Sequence, residues 1–230
     1  MSAPMLLLIE TSSPVCSVAL SSNGHVKALR EISVNANHAS MLIPMIEELM
    51  KETLTDIQAL DGIALSSGPG SYTGLRIGAA TAKGLCYSLR KPLITLDSLQ
   101  VLAWGMSRNR PDSQFVYCPS IDARRDEIYY GLFNNEGAVV KSSANIILTS
   151  GFLGDQPSDK KIIIGGSGAL KCRQVLVGHT IEYDLATVPS ACWMVTMAEE
   201  KFRKGDLDNY VSFEPNYIKP AFISSSKQTP

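Results

Sequence analysis

The order of strand and helix patterns in residues 5–105 restricts this chain to few topologies. Three strand patterns come first, at 5–10, 15–20 and 25–33, and the turn Ser22-Asn23-Gly24 between the last two is typical of a hairpin. The patterns then predict a helix over 38–54, a strand over 61–67, a helix over about 73–89, a strand over 92–96 and a helix that begins near Ser98. Three antiparallel strands therefore open the chain, and helices separate the strands that follow.

This order is the unit of the ribonuclease-H-like fold, which the actin/hexokinase-like ATPase superfamily uses twice. We therefore predict the α/β class, with two βββαβα lobes in which helices flank mixed sheets. The stretch 107–114 is polar, so we place the boundary there and divide the chain into lobes at 1–107 and 108–230. Strand patterns at 115–121 and 127–133 begin the second lobe, which repeats the plan in reduced form and ends in a tail that we expect to be frayed.

The composition limits the classes of function. The chain has 230 residues and a formal net charge of −1, with acidic and basic residues scattered along it. Because no basic stripe is visible, any role in nucleic-acid metabolism is expected to be indirect. The five cysteines form no CxxC pair, which argues against a zinc site or a disulfide framework. The first apolar run stops at Glu10, too early for a signal peptide or a membrane span, so we predict a cytoplasmic protein.

Two glycine-rich loops are candidates for binding a nucleotide. The loop Gly68-Pro69-Gly70-Ser71 joins a strand to a helix, where free backbone N–H groups can hold an anion, and Gly165-Gly166-Ser167-Gly168 follows a buried strand. The candidate nucleotide or phosphate contacts are Thr11, Ser12, Gly68, Gly70, Ser71, Gly165 and Gly166. The alternative is that both loops are tight turns that belong to the fold.

Two helices carry more apolar surface than one core requires. In the helix at 38–54 the apolar arc includes Met41, Met45 and Leu49. The helix at 73–89 has a second apolar stripe, formed by Ile77, Ala80, Gly84 and Tyr87, opposite its bulkier one. We interpret these residues as a partner interface, because so large an exposed arc is otherwise an aggregation hazard. The alternative is that both helices are enclosed within one subunit.

The segment from Gly68 to Gly78, GPGSYTGLRIG, continues with Ala82-Lys83-Gly84-Leu85 and resembles the signature of the TsaB (YeaZ) family. Three other stretches are similar to the same family: Ile9-Glu10-Thr11-Ser12, the run from Asp122 to Tyr129, and Pro215-Asn216-Tyr217-Ile218. The matching segments occur in the expected order along nearly the whole chain, whereas the part between about 135 and 210 is generic.

The resemblance implies a non-catalytic scaffold or activator subunit. Its partner is then TsaD, the homologous subunit that transfers the threonylcarbamoyl group to tRNA adenosine 37, and a TsaE-type ATPase belongs to the same system. In isolation the chain is expected to form a homodimer through the same helices. The resemblance further implies that no cofactor is required, that ATP or ADP can lie at the partner boundary, that tRNA is contacted only indirectly and that no membrane is involved.

The residues that carry the chemistry of TsaD-type relatives are missing. Those relatives bind a metal through an HxxxH pair, and the alignment places these positions at Ser98 and Leu102, neither of which can replace an imidazole. The histidines His25, His38 and His179 lie in unrelated elements, and we expect His38 to be a surface or capping residue. We therefore predict no metal and no catalytic residue. The alternative is a small-molecule kinase or ATPase that uses Glu10. A third hypothesis, a metal-dependent peptidase, is disfavoured for want of ligands.

Overall fold

The computed structural model describes residues 4–33, 37–154, 160–176 and 181–219, and within them the chain forms two lobes, each around a five-stranded mixed sheet. The elements of the first lobe are β1 (Met5–Glu10), β2 (Val15–Ser22), β3 (His25–Ser33), α1 (His38–Glu52), β4 (Gly62–Ser66), α2 (Tyr72–Leu89), β5 (Leu93–Leu96) and α3 (Ser98–Asn109). The sheet has the order β3-β2-β1-β4-β5, in which β1, β2 and β3 are antiparallel and β4 and β5 run parallel to β1. The predicted fold class is confirmed.

The second lobe repeats this plan in smaller form. Its elements are β6 (Phe115–Asp122), β7 (Glu127–Phe133), β8 (Val139–Ile147), β9 (Lys161–Gly165), α4 (Ala169–Val175), β10 (Ile181–Asp184) and α5 (Val195–Lys204). The sheet order is β10-β9-β6-β7-β8, with β9 parallel to both β6 and β10. The sequence patterns did not predict the short strand β10. The frayed tail predicted for the carboxyl terminus lies outside the described residues.

The end of the chain returns to the first lobe. Helix α5 packs on the face of the first sheet opposite α1 and α2, where Val195 and Ala198 lie among buried side chains of β1, β4 and β5. Helix α3 lies between the two sheets, since Leu102 and Met106 pack against Tyr117 and other residues of the second lobe. Residues 195–204 therefore pack with the first lobe, although the division at 107/108 assigned them to the second. Among the described residues, no helix is both long enough and apolar enough to cross a membrane.

Helix α2 lies unusually close to the end of β1. Ser71 caps the helix by accepting a hydrogen bond from the Gly74 N–H, and the helix ends at Arg90 with a left-handed φ of 57°. A Cβ on Gly74 would overlap the carbonyl oxygen of Thr11, and one on Gly78 would overlap the hydroxyl of the same residue. Gly84, by contrast, has no atom within 4 Å of the position of a Cβ. Only the first two glycines are needed for the close approach.

The two kinds of glycine predict opposite effects of the same substitution. Gly74→Ala should lower the free energy of unfolding by about 1–3 kcal/mol, because the methyl group must displace rigid backbone. Gly84→Ala should raise it by about 0.5–1 kcal/mol, because alanine favours a helix and meets open space here. Urea unfolding of both variants beside the parent measures the difference. Equal effects of the two substitutions would contradict the packing of α2 against Thr11.

Candidate partner interface and glycine-rich loops

The loop between β4 and α2 is tied to its neighbours by backbone hydrogen bonds. The Ser71 N–H donates to the carbonyl oxygen of Ser12 at 2.7 Å, in the turn that follows β1. The Gly68 N–H donates to the Ser98 hydroxyl at 3.0 Å, and the Ser98 N–H donates to the Gly68 carbonyl oxygen at 2.9 Å. The loop is therefore fixed between the end of β1 and the start of α3.

This geometry leaves no space for a phosphate between the loop and the turn after β1. A Cβ on Gly70 would overlap the Ser12 carbonyl oxygen, and the Ser71 N–H that could bind an anion is already used. Thr11 is fully buried beneath α2. Of the expected phosphate contacts, Ser12 packs on Gly70 and Ser71, Thr11 packs on α2, and Gly68 is bonded to Ser98, and this arrangement fits the alternative of a tight turn.

The second glycine-rich loop is also packed against protein atoms. Gly166 has a φ of 89°, and a Cβ there would lie 2.5 Å from the Ser120 carbonyl oxygen and 2.6 Å from Cδ2 of Leu102. A Cβ on Gly165 would lie 2.7 Å from the sulfur of Met106. Side chains of α3 thus occupy the space beside this loop, so Gly165 and Gly166 serve the contact between the lobes.

The two positions aligned with metal-binding histidines have structural roles. The hydroxyl of Ser98 is buried, shares a hydrogen bond of 2.6 Å with the Ser66 hydroxyl and also accepts the Gly68 N–H. Leu102 belongs to the core between the lobes. Within the described ranges, no three His, Cys, Asp or Glu side chains are grouped as metal ligands would be.

The histidines lie apart. His38 is buried and donates from Nε2 to the Ser13 carbonyl oxygen at 3.0 Å, so the expected surface or capping role was wrong. The cause is the turn after β1, which covers the start of α1. His25 is exposed at the start of β3, and His179 lies outside the described residues.

Glu10 is fully buried at the end of β1. Its Oε1 accepts a hydrogen bond of 2.6 Å from the Ser12 N–H, whereas Oε2 has no partner. Burial raises the pKa of this carboxyl above its ordinary value, and the hydrogen bond from the Ser12 N–H offsets the increase only partly. Burial therefore favours the neutral carboxyl, and the turn covers it from solvent.

The interface predicted on α1 needs correction. Met45 and Leu49 are buried, 5% and 0% exposed, and pack in the core between α1, α2 and the first sheet. They cannot reach a partner, because the apolar arc of α1 faces the first sheet on one side and α2 on the other. Met41 is half-buried, and Ile43, at 45% exposure, is the large apolar side chain that α1 presents to solvent.

The stripe predicted on α2 lies largely at the surface. Ala80 and Gly84 are exposed, and Tyr87 is 75% exposed. Ile77 is half-buried and packs partly against the core. These four residues, which we call the α2 stripe, form a shallow surface of small side chains with one exposed aromatic ring.

A segment that the sequence reasoning missed runs beside the α2 stripe. Residues 206–219, here called the strap, first join the edge of β5, where the Asp208 N–H donates to the Leu93 carbonyl oxygen at 2.9 Å. Lys83 then donates to the carbonyl oxygens of Val211 and Phe213 at 3.1 and 3.0 Å. The Asn216 N–H donates to the Ser67 carbonyl oxygen at 2.7 Å, next to the first glycine-rich loop.

The strap ends by joining the lobes. The Tyr217 hydroxyl accepts a hydrogen bond of 3.3 Å from Arg76, whose guanidinium lies 4.3 Å from the centre of the Tyr72 ring. Lys219 donates to Glu127 of the second lobe at 2.6 Å, and this hydrogen bond lowers the pKa of Glu127. The Pro215-Asn216-Tyr217-Ile218 stretch was visible in the sequence, but nothing in it indicated which element it would contact.

The comparisons with known proteins agree with this architecture. A family model described as TsaD: tRNA N6-adenosine threonylcarbamoyltransferase matches residues 32–151, more than half of the chain. The tRNA threonylcarbamoyladenosine biosynthesis protein TsaB of Haemophilus influenzae is 25% identical over 224 residues, which cover 93% of each protein. TsaB of Escherichia coli is 31% identical over 131 residues, which cover 57% of this chain and 55% of that protein.

A solved structure of YeaZ from Pseudomonas aeruginosa superimposes with a TM-score of 0.80 and 25% identity, covering 93% of this chain and 99% of that chain. The match therefore includes both lobes and the contact between them. With the family model on residues 32–151 and TsaB relatives that align over most of the length, the chain belongs to the TsaB (YeaZ) family of tRNA threonylcarbamoyladenosine biosynthesis proteins.

Proposed function

We propose that this chain acts in tRNA threonylcarbamoyladenosine synthesis as a non-catalytic scaffold or activator subunit that pairs with a TsaD-type transferase. The names of its relatives supply the pathway, and the matching family model is that of the transferase itself. Homologous subunits of similar fold can bury equivalent helices against each other, as they do in a symmetric dimer.

The observation that carries the pairing is the exposure of the α2 stripe. Ala80 and Gly84 are four residues apart on one helix face, so they leave a flat strip where the backbone of a partner helix can approach closely. The exposed ring of Tyr87 at one end is the kind of aromatic anchor that interfaces favour. Ile43 of α1 adds apolar surface on the neighbouring helix.

The absence of catalysis is proposed from the roles that the candidate residues already have. Ser98 holds the glycine-rich loop, and Leu102 fills the core between the lobes. Glu10 is fully buried beneath the turn after β1, so its carboxyl does not reach a substrate at the surface, and burial raises its pKa. The alternative of a small-molecule kinase or ATPase requires phosphate cradles, which the packed loops at Gly70 and Gly166 do not provide.

The other partners follow from the same proposal. A TsaE-type ATPase is expected in the complex, and the chain alone is expected to form a homodimer through the α2 stripe. The chain itself requires no cofactor. Whether ATP or ADP lies at the boundary with the TsaD-type partner is tested by purifying the two proteins together with and without ATP and comparing the yield of the complex.

Ala80→Glu should abolish pairing, because the interface would bury a charge that has no partner, which costs several kcal/mol. The homodimer and the complex with the TsaD-type protein should both be lost in sedimentation velocity experiments, while the circular dichroism spectrum stays unchanged. Ala186→Glu is the matched control, since Ala186 is exposed on a loop of the second lobe. A folded Ala80→Glu variant that pairs as well as the control would contradict the proposed interface.

The purified chain alone should show no threonylcarbamoyl transfer, negligible ATP hydrolysis and no stoichiometric zinc or iron. The physical reason is that Ser98 and Leu102, at the positions aligned with metal-binding histidines, are engaged in the fold, and that buried His38 is bonded to a backbone carbonyl oxygen instead of a nucleophile. Coupled ATPase assays and elemental analysis measure these quantities. ATP turnover that disappears in Glu10→Ala, or about one metal per chain, would establish the alternative function instead.

Glu10→Gln should make the chain relatively more stable at high pH. The folded state binds the proton of Glu10 more tightly than the unfolded state, whose glutamate has a pKa of about 4.3, so the parent loses stability as the pH rises above that value. Glutamine cannot ionise, hence the variant's free energy of unfolding relative to the parent should be larger at pH 8 than at pH 4. Glu47→Gln, at an exposed position of α1, is the control. A pH-independent difference for Glu10→Gln would refute the argument.

A further inference from the structure

The hairpin between β6 and β7 holds two arginines in a backbone conformation that L-amino acids avoid. Arg124 has a φ of 68° and Arg125 a φ of 51°. Each such residue costs about 1 kcal/mol relative to the right-handed region, and Gly, Asn or Asp is the usual occupant of this conformation. Residues held in this conformation are concentrated at functional sites. The hairpin tip is therefore a candidate for a function.

The surrounding structure keeps the tip in this conformation. The amine of Lys171, on α4, donates to the carboxylate of Asp122 at 2.6 Å and to the carbonyl oxygens of Arg125 and Glu127 at 2.6 and 3.1 Å. The Arg124 N–H donates to the same Asp122 oxygen at 2.7 Å. One lysine thus fixes the backbone on both sides of the arginine pair.

The same contacts occupy the carboxylates beside the arginines. Asp122 is paired with Lys171, and Glu127 is paired with Lys219 of the strap. Both Arg124 and Arg125 are exposed, with the exposed Asp126 beside them as the remaining acidic side chain of the turn. With these two lysines, the hairpin has a formal excess of one positive charge, and Arg125 also lowers the pKa of Glu127 by its charge, whereas the whole chain has a net charge of −1.

The strap connects this tip to a third arginine, Arg76, which lies on an aromatic ring. Lys219 contacts the hairpin at Glu127, and two residues earlier Tyr217 accepts a hydrogen bond from Arg76. The guanidinium of Arg76 lies over the Tyr72 ring, and the rings of Tyr72 and Tyr217 are 5.0 Å apart. Arginines interspersed with aromatic rings are typical of surfaces that bind nucleic acids.

We propose that Arg124 and Arg125 bind phosphate groups of the tRNA backbone, so that this chain contacts the RNA directly within the complex. The inference rests on the proposed function, which supplies tRNA as the substrate of the assembly. Guanidinium groups bind phosphate through paired hydrogen bonds, and backbone contacts of this kind position an RNA without reading its sequence. Because the basic residues are scattered along the sequence, we predicted only indirect contact with tRNA. The sequence alone does not show that folding brings Arg124, Arg125, Lys171 and Lys219 together.

The test is the double variant Arg124→Gly/Arg125→Gly. Glycine adopts a positive φ without strain, so the variant removes both guanidinium groups while the turn is kept and the midpoint of thermal unfolding stays equal or rises. Arg90→Gly is the matched control, since Arg90 is also an exposed arginine with a left-handed φ of 57°, at the end of α2. Both variants should still pair with the TsaD-type protein.

Binding of a tRNA transcript to the complex is measured by fluorescence anisotropy at several salt concentrations. We expect the double variant to bind about tenfold more weakly near 0.1 M salt, and the slope of log K against log salt to decrease by about one to two, one contact for each arginine. Arg90→Gly should keep both the affinity and the slope of the parent.

Unchanged tRNA affinity and slope in the double variant would overturn the proposal. It would also be overturned if the double variant loses affinity for ATP but not for tRNA, because the arginines would then belong to a nucleotide site. If the chain fails to pair with the TsaD-type protein at all, the proposed function fails. The tRNA titration is then made on the chain alone, where loss of salt-dependent binding in the double variant still supports the RNA contact and equal binding refutes it.

Discussion

The packing of α2 against the end of β1 is the contact on which the first lobe depends. Because Gly74 and Gly78 have no side chains, the helix lies directly on Thr11, and the loop before it can bond to Ser12. The same approach fixes the rotation of α2 about its axis. With one face held against the sheet, the α2 stripe must point outward. The exposed surface is therefore a consequence of how the opposite face is packed.

Residues at the ends of β1 and β4 are engaged with one another. The buried hydroxyls of Ser66 and Ser98 join β4 to α3, and Ser98 also holds the glycine-rich loop. Glu10 lies beneath the turn that follows β1. In open α/β sheets this edge is where ligands usually bind. Here the serine hydroxyls that join β4 to α3 are used within the fold, whereas Oε2 of Glu10 and the hydroxyls of Thr11 and Ser12 are buried without a hydrogen-bond partner.

The sequence predicted the topology well because each element of the first lobe has a clear period and a clear end. Patterns could not decide which part of the broad apolar arc of α1 faces the sheet, so Met45 and Leu49 were assigned to an interface although they are in the core. The return of α5 and the strap to the first lobe was also missed. Such contacts join residues more than a hundred positions apart, as in the hydrogen bond from Lys83 to Val211, and no local pattern encodes them.

The strap gives the two proposed surfaces a common support. It is bonded to α2 through Lys83 and Arg76, to the glycine-rich loop through Asn216, and to the β6–β7 hairpin through Lys219. A partner that binds the α2 stripe therefore lies next to the segment that holds the arginine hairpin in place. The hydrogen bonds of the strap hold the α2 stripe on the first lobe and the arginine hairpin on the second lobe at a fixed distance from each other. The strap thus fixes the geometry between the two proposed surfaces.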